Sequence, residues 1–184
     1  MVIPNTVVGA GEERLGTYAL LDGGSTRHVV SSELCERLGI QGEKIKMSVT
    51  TLDRVVEGER EVADVTIQGT NGLQVKLGSA IFGQIIASRG DSPPRREDIA
   101  GMEYLEGVEF PQFAEGERVE RKIGVIIGAE HAWIWTMGER RMGGRDSAVG
   151  IKTALGWGCW APRGQMPLSL RVVALLRFRA EWMT

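Results

Sequence analysis

Between residues 44 and 77 apolar and polar side chains alternate, and this period of two constrains the fold more than any other feature of the chain. Ile45, Met47 and Val49 fall on one side of residues 44–51, and Lys46, Ser48 and Thr50 on the other. Successive side chains of a strand point to opposite faces, so the pattern predicts half-buried β-strands. Residues 55–67 repeat it in part, with Val62, Asp64 and Thr66 set against Ala63, Val65 and Ile67. Leu73, Val75 and Leu77 repeat it once more. Leu52-Asp53-Arg54 makes a polar turn between the first two runs, and Thr70-Asn71-Gly72 a turn before the third. Asn-Gly favours the turns that join paired strands. The reading is two successive β-hairpins, followed by another strand over residues 80–87.

Composition supports a chain of many tight turns. Glycine reaches 25 of 184 residues, roughly twice its usual share, while proline stays at 6. The net charge is −2, which argues against a nucleic-acid module held by bulk positive charge. Cys35 and Cys159 form no CxxC pair, so a zinc ribbon or thioredoxin-type motif is excluded and a reducing, cytoplasmic setting is expected. The first six residues carry neither a basic start nor a long apolar run, so no signal peptide is expected. No apolar stretch is long enough for a spanning helix, so no membrane partner is expected either.

Asp22 is the most informative single residue. Residues 17–21 (TYALL) read as a buried strand, and Asp22-Gly23-Gly24-Ser25 as a tight turn at its end. A carboxylate is costly at the end of a buried strand unless something solvates it. Flanking glycines let backbone N–H groups approach and stabilise the charged form.

The remaining elements are short. Residues 31–39 read as a helix, with Ser31 or Ser32 at its start, Leu34 and Leu38 on one face and Gly39 at its end. Cys35 lies next to that face and reads as a small core residue. Residues 88–121 lack sheet periodicity and read as a long surface insertion with one helical turn over 95–104. Strand character returns at residues 123–127, closed by Gly128, and a short helix follows over 129–135. Residues 148–153 and 155–160 form a last pair of short strands. Trp133, Trp135, Trp157 and Trp160 read as packing around them, with a peptide-binding surface as the alternative.

Taken together, Ala19-Leu20-Leu21-Asp22-Gly23-Gly24-Ser25, the helix at 31–39, Ile123-Gly124-Val125-Ile126-Ile127-Gly128-Ala129-Glu130-His131 and Thr153-Ala154-Leu155-Gly156-Trp157-Gly158 have a familiar order. The chain resembles the aspartic protease region of retroelement polyproteins, and most closely the peptidase domain of BEL/Pao-type LTR retrotransposons. The resemblance spans residues 18–162, including the insertion. It implies a mainly-β, retropepsin-like acid protease barrel with one or two short helices, occupying residues 17–162. Residues 1–16 are then an N-terminal extension and 163–184 a tail.

The resemblance also assigns roles. Asp22 matches the catalytic aspartate, within an active-site loop of Gly23, Gly24 and Ser25. Leu52, Asp53 and Arg54 match the tip of the flap that covers substrate. Ile126, Ile127 and Gly128 match the segment that supports the active-site loop. The implied activity is an aspartic endopeptidase acting on an extended peptide of a retrotransposon polyprotein, with no metal and no other cofactor. Such hydrolysis needs two facing carboxylates that share one proton. Only Asp22 lies in a suitable strand-turn context, so a homodimer is expected to supply the second.

One position departs from the family pattern. Gly23 stands where the family has Ser or Thr, whose hydroxyl braces the loop across the dimer. The alternative reading is therefore a catalytically decayed barrel used for dimerisation or peptide binding. His28 reads as a partly exposed loop histidine, and His131 falls where the family carries one. The tail holds four Arg and one Glu, leaving −5 for residues 1–162. It reads as sequence past the domain edge, with a basic amphipathic helix for a membrane as the alternative.

Overall fold

The computed structural model describes residues 1–50, 55–85, 101–108, 119–136, 138–145, 147–160 and 180–182. It is mainly β, as the alternation predicts, with a six-stranded barrel and two short helices. The strands are β1 (Val2–Val8), β2 (Arg14–Leu21), β3 (Val29–Ser31), β4 (Glu43–Thr50), β5 (Val55–Gly69), β6 (Gln74–Gly83), β7 (Val119–Ile127), β8 (Arg140–Met142), β9 (Val149–Thr153), β10 (Gly156–Trp160) and β11 (Ala180–Trp182). The helices are α1 (Ser32–Arg37) and α2 (Trp133–Thr136).

The ring of the barrel runs β5-β6-β3-β7-β2-β1, and β1 closes it by pairing antiparallel with β5 at Asn5–Gly69 through Val8–Thr66. Closure leaves no open edge between the six ring strands, and the sheet continues outside the ring through β4 and β11 on one side and β10, β9 and β8 on the other. Residues 1–16 are thus no mere extension. Ile3 and Val7 of β1 are buried in the barrel core, and Val2 also pairs with Cys159 of β10. A 7-residue strand this close to the chain start shows only a partial alternation, which is why its role is hard to read from sequence.

Both predicted hairpins form. β4 pairs with β5 from Glu43–Val62 to Thr50–Val55, and β5 with β6 from Val62–Ile81 to Gln68–Gln74. Gly72 takes a left-handed φ of 85°, and the Asn71 side chain accepts from the Leu73 N–H. This is the local chemistry that makes Asn-Gly a turn. Two predicted strands merge into β6, where Ser79 adopts φ 45° beside a register shift between Ala63 and Val65. Asp64 accepts there from Lys76 (2.7 Å) and from the Ser79 N–H (3.0 Å), and these bonds hold its carboxyl below the usual range. The extra residue lies on β6, so Leu77 and Ala80, three apart, both face the main core. Val65 and Ile67 face the main core, whereas Val62 packs with Met47, Val49 and Ile81 in a separate cluster.

The runs YALL and GVII lack alternation for a different reason. β2 and β7 pair in parallel, from Tyr18–Ile123 to Leu21–Ile127. Ala19, Leu21, Val125 and Ile127 face the barrel core, and Leu20, Ile123 and Ile126 form a second cluster with Val2 and Val29. Strands buried on both faces read as continuous apolar runs.

Helix α1 plugs the barrel with Leu34, Cys35 and the following Leu38. Gly39 ends it with φ +63°; its N–H donates to the Glu36 carbonyl, and the Ile40 N–H to that of Cys35. This pair of bonds requires a left-handed residue after the helix and favours glycine there. Burial pushes the Cys35 thiol up to about 12, with Glu61 and Glu36 adding to the shift, so it is a core residue and no nucleophile at neutral pH.

Of the predicted insertion, residues 101–108 and the start of β7 are described. A single 3-10 turn at Glu103–Leu105 anchors the described part, with the Tyr104 hydroxyl donating to the Ala148 carbonyl. Of the tail, Ala180–Trp182 pairs antiparallel with Met47–Val49 on the outer edge of β4. Among the late tryptophans, Trp135 packs against the core, the Arg141 guanidinium lies 5.4 Å from the Trp157 ring, and Trp133 is exposed. Among the described residues no helix is long and apolar enough to cross a membrane.

Candidate active site

Asp22 follows β2 directly, beside the end of its parallel neighbour β7. Its N–H donates to the Ile127 carbonyl at 3.0 Å, continuing the ladder one residue past the strand. The Ser25 N–H returns to the Asp22 carbonyl at 3.2 Å, and the Ala129 N–H donates to the Ser25 carbonyl at 2.8 Å. The loop of residues 22–25 is therefore stitched at both ends to residues 127–129.

The glycines act on the Asp22 carboxylate. The Gly24 N–H donates to Oδ1 at 2.9 Å. A methyl group at Gly24 would lie 3.2 Å from that same oxygen, so a side chain there crowds the carboxylate. Oδ2 is buried and has no hydrogen-bond partner among the described residues. A buried polar atom without a partner is costly and uncommon in a folded protein. Here it belongs to a half-buried carboxylate held at the mouth of a loop.

Gly23 and Ser25 differ in surroundings. Gly23 is exposed, and a Cβ built there meets nothing within 4 Å. Ser25 is fully buried, and its hydroxyl donates to the Arg27 carbonyl at 2.7 Å. That hydroxyl is committed to the loop's interior and cannot substitute for one missing at position 23.

The predicted supporting segment meets the loop. Ile126 and Ile127 are buried on opposite faces of β7, and the Ile127 carbonyl is the acceptor for Asp22. Gly128 is needed for close approach: a Cβ there would stand 2.4 Å from the Arg27 carbonyl oxygen and 2.8 Å from its carbon. Both are backbone atoms of a tied-down loop, so Gly128→Ala should destabilise the fold by about 1–3 kcal/mol. Urea unfolding measures this, and an unchanged midpoint would show that the two segments do not pack this closely. The predicted flap tip at Leu52, Asp53 and Arg54 lies outside the described residues. The hairpin that carries it is in place.

The structure overturns one expectation about the histidines. His28 is not a partly exposed loop residue but wholly buried. Its Nδ1 accepts the Gly128 N–H at 3.1 Å, so the ring's proton sits on Nε2. Nε2 lies 2.9 Å from His131 Nδ1 and 3.4 Å from Glu130 Oε2. The Arg27 guanidinium pairs with Glu130 Oε1 at 2.8 Å. Burial, reinforced by His131 and Arg27, lowers the His28 pKa to about 4. Sequence spacing does not reveal this cluster. It arises because β3 and β7 run antiparallel with Val29 opposite Ile126, which brings the residues before β3 against those after β7. Among the described residues, no three His, Cys, Asp or Glu side chains converge as a metal site.

No protein-family model matches the chain, and comparisons with curated proteins and with solved structures return no match.

Proposed function

We propose that the protein is an aspartic endopeptidase that works as a homodimer, with Asp22 of each copy supplying half of the reacting pair. The observation that carries this reading is the Asp22 carboxylate itself. One oxygen is held by a backbone N–H and the other is buried without a partner, at a loop braced on both sides. In a two-fold dimer each carboxylate faces the other, and the two share one proton. The charged member draws a proton from water, and the protonated member donates to the carbonyl of the bond being cut. An extended peptide fits such a cleft by strand-like backbone hydrogen bonds. The resemblance to retroelement proteases adds the substrate class, a polyprotein. A cytoplasmic setting accords with two buried cysteines, Cys35 and Cys159, that form no disulfide.

The test is cleavage of a mixed peptide library at about pH 5, where a pair holding one proton is poised. Wild type and Asp22→Asn are compared, each shown to be folded and dimeric. Cutting by the wild type alone supports the reading, and no cutting by either sinks it.

Gly23 favours a second reading, a barrel that dimerises or binds peptide without cutting. Gly23→Ser separates the two. The added side chain has open space, so stability should hold within about 0.5 kcal/mol. A hydroxyl able to brace the loop across the dimer should raise kcat severalfold and tighten dimerisation. Sedimentation and steady-state kinetics read both. A variant as silent as the wild type, yet dimeric, favours the binding module.

A further inference from the structure

The mechanism above makes no use of His28, a wholly buried polar residue. His28 lies behind the active-site loop, and its bond to Gly128 ends on a peptide group with a second role. The Gly128 N–H and the Ile127 carbonyl belong to one planar amide. Its N–H donates to His28 Nδ1 at 3.1 Å, and its oxygen accepts the Asp22 N–H at 3.0 Å. The plane of a single peptide thus links the imidazole to the backbone of Asp22. Hydrogen bonds in series also polarise one another, so the first strengthens the second.

We propose that His28 is a positioning residue for Asp22: its neutral imidazole holds the 127–128 peptide plane, and protonation of the ring releases that hold and sets the acid limit of the site. The inference rests on the endopeptidase reading for its catalytic consequence, though not for the latch itself. A neutral ring offers Nδ1 as an acceptor, whereas an imidazolium has a donor on both nitrogens. Protonated His28 would point one N–H at another, and the amide plane would have to turn or the ring withdraw. Either movement takes the Ile127 carbonyl off the Asp22 N–H.

The surrounding groups make this a one-sided switch. His131 and Glu130 face Nε2 from the segment after β7, and Arg27 comes from the ring's own loop. On β6, the Ile81 N–H holds the His28 carbonyl at 2.9 Å, which fixes the backbone beneath the ring. The Glu130 carboxylate can accept from Nε2 in either protonation state of the ring, so the change that protonation makes falls on the Nδ1 side. Burial opposes the charged ring, and the neighbouring His131 and Arg27 oppose it further, so the latch stays closed until well below neutral pH.

The full chain carrying Asp22→Asn, whose side-chain amide does not titrate, is followed by nitrogen-detected NMR of the histidine rings. The expected result is a His28 ring protonated on Nε2, with the Gly128 amide resonance moving at the same acid midpoint as the ring. His28→Asn places an amide oxygen near the Nδ1 position and cannot take up a proton. It should abolish the Gly128 midpoint. In the chain retaining Asp22, it should keep most of kcat near pH 6 while extending activity to lower pH. His28→Phe keeps the ring's bulk without an acceptor, and should lower kcat at every pH with little change in KM. A ring protonated on Nδ1, a midpoint near the ordinary value of about 6.5, or a Gly128 amide indifferent to it would each overturn the latch. If His28→Phe does not fold, the wild-type ring and the Asn variant still decide. If the chain retaining Asp22 cuts no peptide, the endopeptidase reading fails, while the NMR titration still settles whether His28 holds the peptide plane.

Discussion

Asp22→Asn is expected to lower peptide cleavage by at least roughly 10²–10⁴-fold, the span that a positioned acid or base contributes. Asparagine is the informative replacement because it matches the carboxylate in shape. Its side-chain oxygen can still accept the Gly24 N–H, which Asp22 Oδ1 does at 2.9 Å. The backbone bonds of residue 22, to Ile127 and from Ser25, do not involve the side chain at all. The variant should therefore fold and dimerise as the wild type does. In the variant dimer both facing groups are amides, which can neither share an acidic proton nor take one from water, so chemistry is lost while binding remains. The measurement is kcat and KM on a peptide selected from the library, beside the thermal midpoint. Loss of kcat at constant KM and constant midpoint is the expected outcome. Residual cutting within threefold of wild type would remove Asp22 from the reaction, and with it the endopeptidase reading.

The second large effect concerns acid stability. His28 is buried and neutral in the folded chain, with its pKa lowered from 6.5 to about 4. In the unfolded chain it takes up a proton near 6.5. Between those values the unfolded state binds the proton and the folded state does not, so stability rises with pH across that interval. The contribution is complete above pH 6.5 and is lost as pH falls towards 4. At about 1.4 kcal/mol per pH unit, the loss from this one ring is about 3 kcal/mol. Carboxylates also destabilise folded proteins in acid, so a falling midpoint alone is not diagnostic. The comparison is with His28→Asn, which has no ring to titrate. Urea midpoints of the two proteins should diverge below pH 6.5, with the wild type losing more. Parallel curves from pH 7 to pH 4 would show that His28 titrates normally and is not held neutral.

These two effects meet at one peptide group. Asp22 depends on the Ile127 carbonyl, and the Gly128 N–H depends on His28. Gly128 has no room for a side chain because Arg27 passes directly against it. The loop, the end of β7 and the residues before β3 therefore act as one unit. A change in any of them should reach the carboxylate through the backbone.

The alternation from residue 44 to 77 was enough to establish two hairpins, because a strand with one covered face must alternate whatever it pairs with. The Asn-Gly turn and the Gly39 helix end were legible for the same reason: each depends on a left-handed residue and its immediate neighbours. Asp22 stood out because a carboxylate flanked by glycines at the end of an apolar run makes sense only if backbone groups receive it. Beyond that range the sequence was silent. β1 was hidden because its burial depends on β2, β5 and β10, three partners that local pattern does not name. His28 looked like a loop residue because it follows the polar, glycine-rich run Asp22-Gly23-Gly24-Ser25-Thr26-Arg27. Its burial comes from residues about a hundred positions away, brought over it by the antiparallel register of β3 against β7. Side-chain period and turn chemistry act over a few residues and can be read from one strand of text. Register and closure are decided by pairing between distant segments, and only the folded barrel sets them.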